Sequence, residues 1–74
     1  MPLIQVTAVK DVFTDEQKQE VIERITDAMV AIEGEQLRGV TWVTFSEVDS
    51  GCWGIGGKTL TTAAVHELQQ ASQG

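Results

Sequence analysis

The 74-residue chain has one cysteine, one proline, one histidine and no tyrosine. A lone Cys52 excludes an internal disulfide. His66 and Cys52 stand apart, without CxxC or HxxxH spacing, so no metal-ligand cluster is visible. Five basic residues face eleven acidic ones, and the net charge is −6. That balance argues against non-specific binding to nucleic acid or to anionic membrane surfaces. No apolar run approaches the length of a membrane span, and no signal peptide precedes the first strand. The expectation is a soluble, cytoplasmic protein, and a free thiol fits a reducing compartment. No repeat or linker divides the chain, so residues 1–74 read as one domain. So small a chain buries a modest fraction of its surface and is marginal alone. With no disulfide and no metal to help, self-association is the remaining stabiliser.

What is present is globular in character: 42% hydrophobic residues, two tryptophans, and 22% charged residues. The chain opens Met1-Pro2-Leu3-Ile4. Aminopeptidases generally remove an initiator methionine that precedes a small residue or proline. The mature chain would then begin with a free prolyl amine, secondary and held by a ring. Desolvation beside a core favours the neutral form of such an amine. It could then take and return protons near neutral pH. On this stretch alone, a proline of no consequence at position two remains the competing reading.

Leu3 to Val9 reads as a strand, with Ile4, Val6 and Ala8 on one face and Leu3, Gln5, Thr7 and Val9 on the other. Neither face is strongly polar, which predicts cover on both sides. Lys10 to Phe13 connects to a helix opened by Thr14, which forms a capping box with Gln17. Asp15 and Glu16 suit the helix dipole. Val21, Ile22, Ile25, Ala28, Met29 and Ile32 make one apolar stripe, Glu20 and Arg24 pair outside it, and Gly34 ends the helix. A second strand is predicted over Val40 to Val48. Strand, helix and strand make a βαβ unit with parallel strands. A turn at Asp49-Ser50-Gly51 precedes Cys52-Trp53-Gly54-Ile55-Gly56-Gly57-Lys58. Those glycines match neither GxGxxG nor GxxxxGK[ST], so a phosphate loop is not indicated. Thr61 to Leu68 reads as a short helix with Val65 and Leu68 inward, and Gln69 to Gly74 as a frayed tail. One βαβ unit leaves strand edges and a sheet face uncovered, which a second copy would cover.

The combined pattern resembles the 4-oxalocrotonate tautomerase family. The resemblance rests on Met1-Pro2-Leu3-Ile4, on Thr14-Asp15-Glu16-Gln17-Lys18 at the helix start, and on Glu47-Val48 followed by Trp53-Gly54-Ile55-Gly56-Gly57. It covers roughly residues 2 to 60, leaving 61–74 as a short helix and tail. It implies an α/β (α+β) β-α-β unit with a short C-terminal hairpin. Two subunits would form a four-stranded sheet carrying two helices, and a homo-oligomer, a hexamer, would follow. It implies cofactor-free keto–enol tautomerisation of 2-oxo acid enols, with Pro2 as the base and no metal. Trp53 matches the aromatic position that walls the pocket. Two arginines of the family pattern are missing: their places fall at Val12 or Phe13 and at Trp42. Lys10, Arg38 and Lys58 are the basic candidates to replace them, with Arg38 first because a guanidinium binds a carboxylate through two bonds. A pocket lined by Val12, Phe13, Trp42 and Trp53 would favour a monoacid with an aromatic or otherwise apolar tail.

Two alternatives carry weight at this point. Another proline-based reaction, such as dehalogenation of a haloacrylate, needs arginines that this chain lacks. A non-catalytic oligomeric binding module would leave the proline idle. His66 reads as a surface histidine, and Cys52 as small apolar filler or a subunit contact.

Overall fold

The computed structural model describes residues 1–71. β1 (Leu3–Val9) leads into α1 (Asp15–Glu33), then through a 3-10 helix (Glu35–Val40) into β2 (Trp42–Val48). β3 (Trp53–Ile55) and β4 (Lys58–Leu60) form a hairpin, and α2 (Thr62–Ala71) follows. β1 and β2 pair in parallel, from Leu3 opposite Trp42 to Val9 opposite Val48. The expected βαβ unit is therefore present.

Local chemistry sets these boundaries. Thr14 and Gln17 form the capping box: the Gln17 amide donates to Thr14 Oγ1 (3.1 Å), and the Thr14 amide donates to Gln17 Oε1 (2.9 Å). At the other end Gly34 takes φ = 108°, a region closed to most side chains, and its N–H donates to the Val30 carbonyl. The predicted start of the second strand is corrected here. Val40 belongs to the 3-10 helix, and the strand begins at Trp42. The Thr41 amide donates to the Arg38 carbonyl (3.2 Å), while its hydroxyl shares its one proton between the Leu37 carbonyl (2.8 Å) and Glu33. Those bonds hold a tight turn that the β-branched Val40 alone does not reveal.

The helix faces also need correction. Ile22, Ile25 and Met29 are half-buried and Val30 is buried, but Ile32 is 86% exposed. The inward face runs through Lys18, Ile22, Thr26 and Val30, four residues apart at each step, and Thr26 satisfies its hydroxyl on the Ile22 carbonyl (2.7 Å). The C-terminal helix is longer than predicted: Thr61 caps it by accepting from the Ala64 amide (3.1 Å), and Gln69 to Ala71 are helical. The rest of the predicted tail lies outside the described residues. Val65 points inward, whereas Leu68 is exposed.

The helix covers one face of the β1–β2 pair. The other face, carrying Leu3 (53% exposed) beside Trp42 (56% exposed), is open in the single chain. Among the described residues only Val9 and Val30 are buried hydrophobics, and each keeps 5% exposure. A chain with so little enclosed core gains from cover supplied by another copy.

One ion pair joins three elements. Lys18 Nζ on α1 lies 2.8 Å from Glu47 Oε1 on β2, and the Asp11 amide donates to Glu47 Oε2 (3.2 Å). The Lys18 hydrogen bond holds the Glu47 carboxyl below its ordinary 4.5, and the same bond raises the Lys18 ammonium above 10.5. The carboxylate's stabilisation is therefore full above about 4.5 and is lost as pH falls through its lower folded value. The lysine's contribution is full below about 10.5 and is lost as pH rises through its higher folded value. Glu47→Gln is expected to lower the melting temperature at pH 7. Thermal scans across pH would show the gap to wild type narrowing in acid. A gap that stays constant from pH 7 to pH 3 would contradict this assignment.

Candidate active site

The parallel register sorts the candidate residues into two groups at opposite ends of the sheet. At one end the Trp42 amide donates to the Pro2 carbonyl (3.0 Å). Pro2, a half-buried residue, thus extends the β1–β2 ladder by one bond. Arg38 lies at this same end, in the 3-10 helix that feeds β2. Its guanidinium is held by its own chain: Nε donates to Glu35 Oε1 (2.7 Å), Nη2 to Glu35 Oε2 (3.3 Å) and Nη1 to Asp27 Oδ1 (2.9 Å). The Glu35 bond chiefly raises the arginine's pKa, and the arginine in turn lowers that of Glu35. Three of the five guanidinium N–H groups are engaged.

At the other end sits an apolar pocket of about 370 Å³. Ala8 and Val9 of β1, with Val12 and Phe13 of the following loop, form one side. The hairpin adds Trp53, Ile55 and Leu60, and α2 adds Val65 and Gln69. Phe13 is fixed edge-on against Phe45, with ring centroids 5.5 Å apart at 82°. The loop reaches this place because Asp11 adopts φ = 66° and is tied to Glu47 through its amide. Trp53 is held by the hairpin, where it pairs with Leu60. Gly56 and Gly57 make the turn with φ of 59° and 84°, the two positive values that a two-residue type I′ hairpin requires.

Three of the four expected pocket residues, Val12, Phe13 and Trp53, are thus gathered together. Trp42 stands at the opposite end, beside Leu3 on the open sheet face. Lys10 is exposed at the pocket end, its amide bonded to the Val48 carbonyl (2.8 Å). Lys58 opens β4, exposed, opposite Ile55. The distance between the two groups follows from strand geometry. Pro2 and Ala8 are six residues apart along one strand, roughly 20 Å at ~3.3 Å per residue. Within one chain, Pro2 does not reach the pocket that Trp53 lines.

The sequence reading missed Ala8, Val9, Ile55, Leu60, Val65 and Gln69 as lining residues. The signal available for some of them was the alternation of β1 and the hairpin glycines. Nothing local announced Gln69, because its place depends on where α2 docks. His66 is part of that docking: its Nε2 is 3.1 Å from the Asp11 carbonyl and its Nδ1 is 3.0 Å from Gln69 Oε1.

The β-α-β unit followed by a second β hairpin is a small α+β fold that matches solved structures of the tautomerase type. The sequence profile for the tautomerase enzymes matches residues 2–63. The chain belongs to that family, and the resemblance to the 4-oxalocrotonate tautomerases holds. It is similar to the probable tautomerase K2 of Dickeya dadantii, at 36% identity over 72 residues, covering 97% of this chain and all of the relative. It is also similar to a probable tautomerase of Helicobacter pylori strain 26695, at 39% identity over 57 residues, covering 77% of this chain and 75% of the relative. Among solved structures, apo unfused 4-OT superposes with a TM-score of 0.71 at 27% identity, covering 80% of this chain and 93% of the other. DmpI from Helicobacter pylori gives 0.68 at 32% identity, covering 88% and 98%. Family membership makes this chain a tautomerase, an isomerase by class.

Proposed function

We propose that this protein is a cofactor-free keto–enol tautomerase acting on enols of 2-oxo acids, with Pro2 as the proton-transferring base. The observation that carries this reading is the family match, which starts at residue 2 and takes in the proline at the end of β1. The chemistry is a proton relocation. The prolyl nitrogen takes the enol O–H proton, the C–O bond becomes a carbonyl, and the prolyl ammonium returns a proton to the carbon that held the double bond. No electron leaves the substrate and no second reactant is consumed. A free α-amino group titrates near 7.7–8.0, and a partly dry site lowers that further, so the neutral base is available at neutral pH. The reading requires removal of Met1, because an amide nitrogen has no basic lone pair.

The site is proposed to form between copies. Pro2 and Arg38 belong to one end of the sheet, and the Phe13–Trp53 pocket to the other. A second subunit would bring its pocket to the first subunit's proline, in a homo-oligomer, proposed as a hexamer. Arg38 is the proposed carboxylate-binding residue, through the two N–H groups left beside Glu35 and Asp27. Trp42 and Lys10 are proposed to border the site from their respective ends.

The test is the ketonisation of phenylenolpyruvate, followed by ultraviolet absorbance, with intact mass showing that Met1 is gone. A rate well above buffer supports the reading. A rate equal to buffer, from protein lacking Met1, overturns it for this substrate class and leaves the binding-module alternative.

A further inference from the structure

We propose that α2 is the specificity wall of the apolar pocket, and that it selects enols whose side chain is an uncharged aryl or alkyl group. This inference rests on the tautomerase reading above for its reaction, but its binding claim stands separately. Residues matched to the family end at 63, so all of α2 beyond Thr62 and Ala63 lies outside that match. The helix nonetheless supplies two lining side chains, Val65 and Gln69. It is pinned in place on both sides of Val65. Thr62 Oγ1 donates to the Lys10 carbonyl (2.6 Å), the Thr62 amide donates to Ser50 Oγ (2.9 Å), and His66 meets the Asp11 carbonyl. Thr62, Val65, His66 and Gln69 share one helical face. Two of these three contacts, at Lys10 and Asp11, are made to the loop that carries Val12 and Phe13.

The lining chooses the ligand. None of the lining residues ionises, and Gln69 is the one polar side chain among them. A second carboxylate entering here would lose its water and find no cation among the lining side chains, since Lys10 at this end is exposed to solvent and does not line the pocket. A phenyl or branched alkyl group would lose nothing and gain the contact area. The volume suits it: about 370 Å³ exceeds the ~150 Å³ that holds a benzene molecule in a dry apolar cavity, leaving room for a linking methylene and part of the acid.

The experiment measures binding as well as turnover. Titration calorimetry would compare 3-phenylpropanoate with glutarate, neither of which can tautomerise, on wild type, Val65→Lys and Gln69→Lys. Wild type is expected to bind the phenyl acid at least about tenfold tighter, the return from burying one aromatic ring. Val65→Lys should shrink or invert that ratio, and turnover should shift from phenylenolpyruvate towards the diacid 2-hydroxymuconate. Gln69→Lys sits on the exposed rim, so it gives the same readout if Val65→Lys does not fold. Equal affinity for the two acids, no binding of either because another subunit fills the pocket, or a ratio unmoved in a folded lysine variant would overturn the proposal. Selective phenyl binding without turnover would sink the tautomerase reading and leave this one standing. Fast turnover of both enols alike would do the reverse.

Discussion

Pro2→Ala is expected to reduce kcat/KM for enol ketonisation by about 10²-fold or more, within the ~10²–10⁴ range of a positioned acid–base group. The loss should be incomplete, because alanine also presents a free amine once Met1 is removed. That amine is primary, lacks the ring, and rotates about a bond that the proline ring closes. A chain that retains Met1 should lose the reaction more fully, since its residue-two nitrogen is an amide. The wild-type pH profile should rise on its acid limb as the prolyl ammonium deprotonates, at or below the ordinary α-amino range of about 7.7–8.0. The fold should survive the alanine change. The bond that holds residue 2 in the sheet, from the Trp42 amide, is accepted by its carbonyl and not by its ring. Circular dichroism and thermal melting matching wild type, together with the rate loss, would place the chemistry on the amine. A variant as fast as wild type would remove Pro2 from the mechanism.

Mixing two disabled variants is expected to restore activity. Pro2→Ala lacks the base, and Trp53→Ala lacks the pocket wall. Within one chain Pro2 stands at one end of β1 and Trp53 lines the pocket with Ala8 at the other, and Pro2 to Ala8 spans roughly 20 Å at ~3.3 Å per residue. If each site joins the proline of one copy to the pocket of another, some hybrid sites receive both intact parts. Random reassembly of equal amounts gives the correct pair at about a quarter of sites, from one-half times one-half. Unfolding and refolding the two variants together should therefore raise activity from near background to about a quarter of wild type. Refolding each alone should not. A mixture no more active than its components would mean that Pro2 and Trp53 are not partners across an interface.

Much of the scaffold is legible before any coordinates. The alternation of Leu3 to Val9 marks β1, and the Thr14–Gln17 capping box with Gly34 marks both ends of α1, as observed. These are local signals: a cap needs only neighbours three residues away. Phe13 and Trp53 could be nominated in the same way, from their places beside the first loop and before the glycines. What failed were statements about direction. The apolar periodicity predicts Ile32 inward, but it faces out, while Val30 is buried. The helix turns about 100° per residue at 3.6 residues per turn, so a small change in how it docks exchanges one side chain for another. Leu68 and Val65 differ for the same reason. Val40 looked like strand because it is β-branched, but the hydrogen bonds of Thr41 and Arg38 outweighed that preference.

The sequence by itself determined the order of elements, their parallel pairing, the family and the nomination of Pro2, because each depends on residue type and short spacing. Only the tertiary structure decided where those residues stand. It committed Arg38 to Glu35 and Asp27, brought Val65 and Gln69 of α2 to Phe13 and Trp53, and set Pro2 at the far end from them. Such placements depend on contacts between residues distant in the chain, and hydrophobic burial, which drives them, carries no direction of its own.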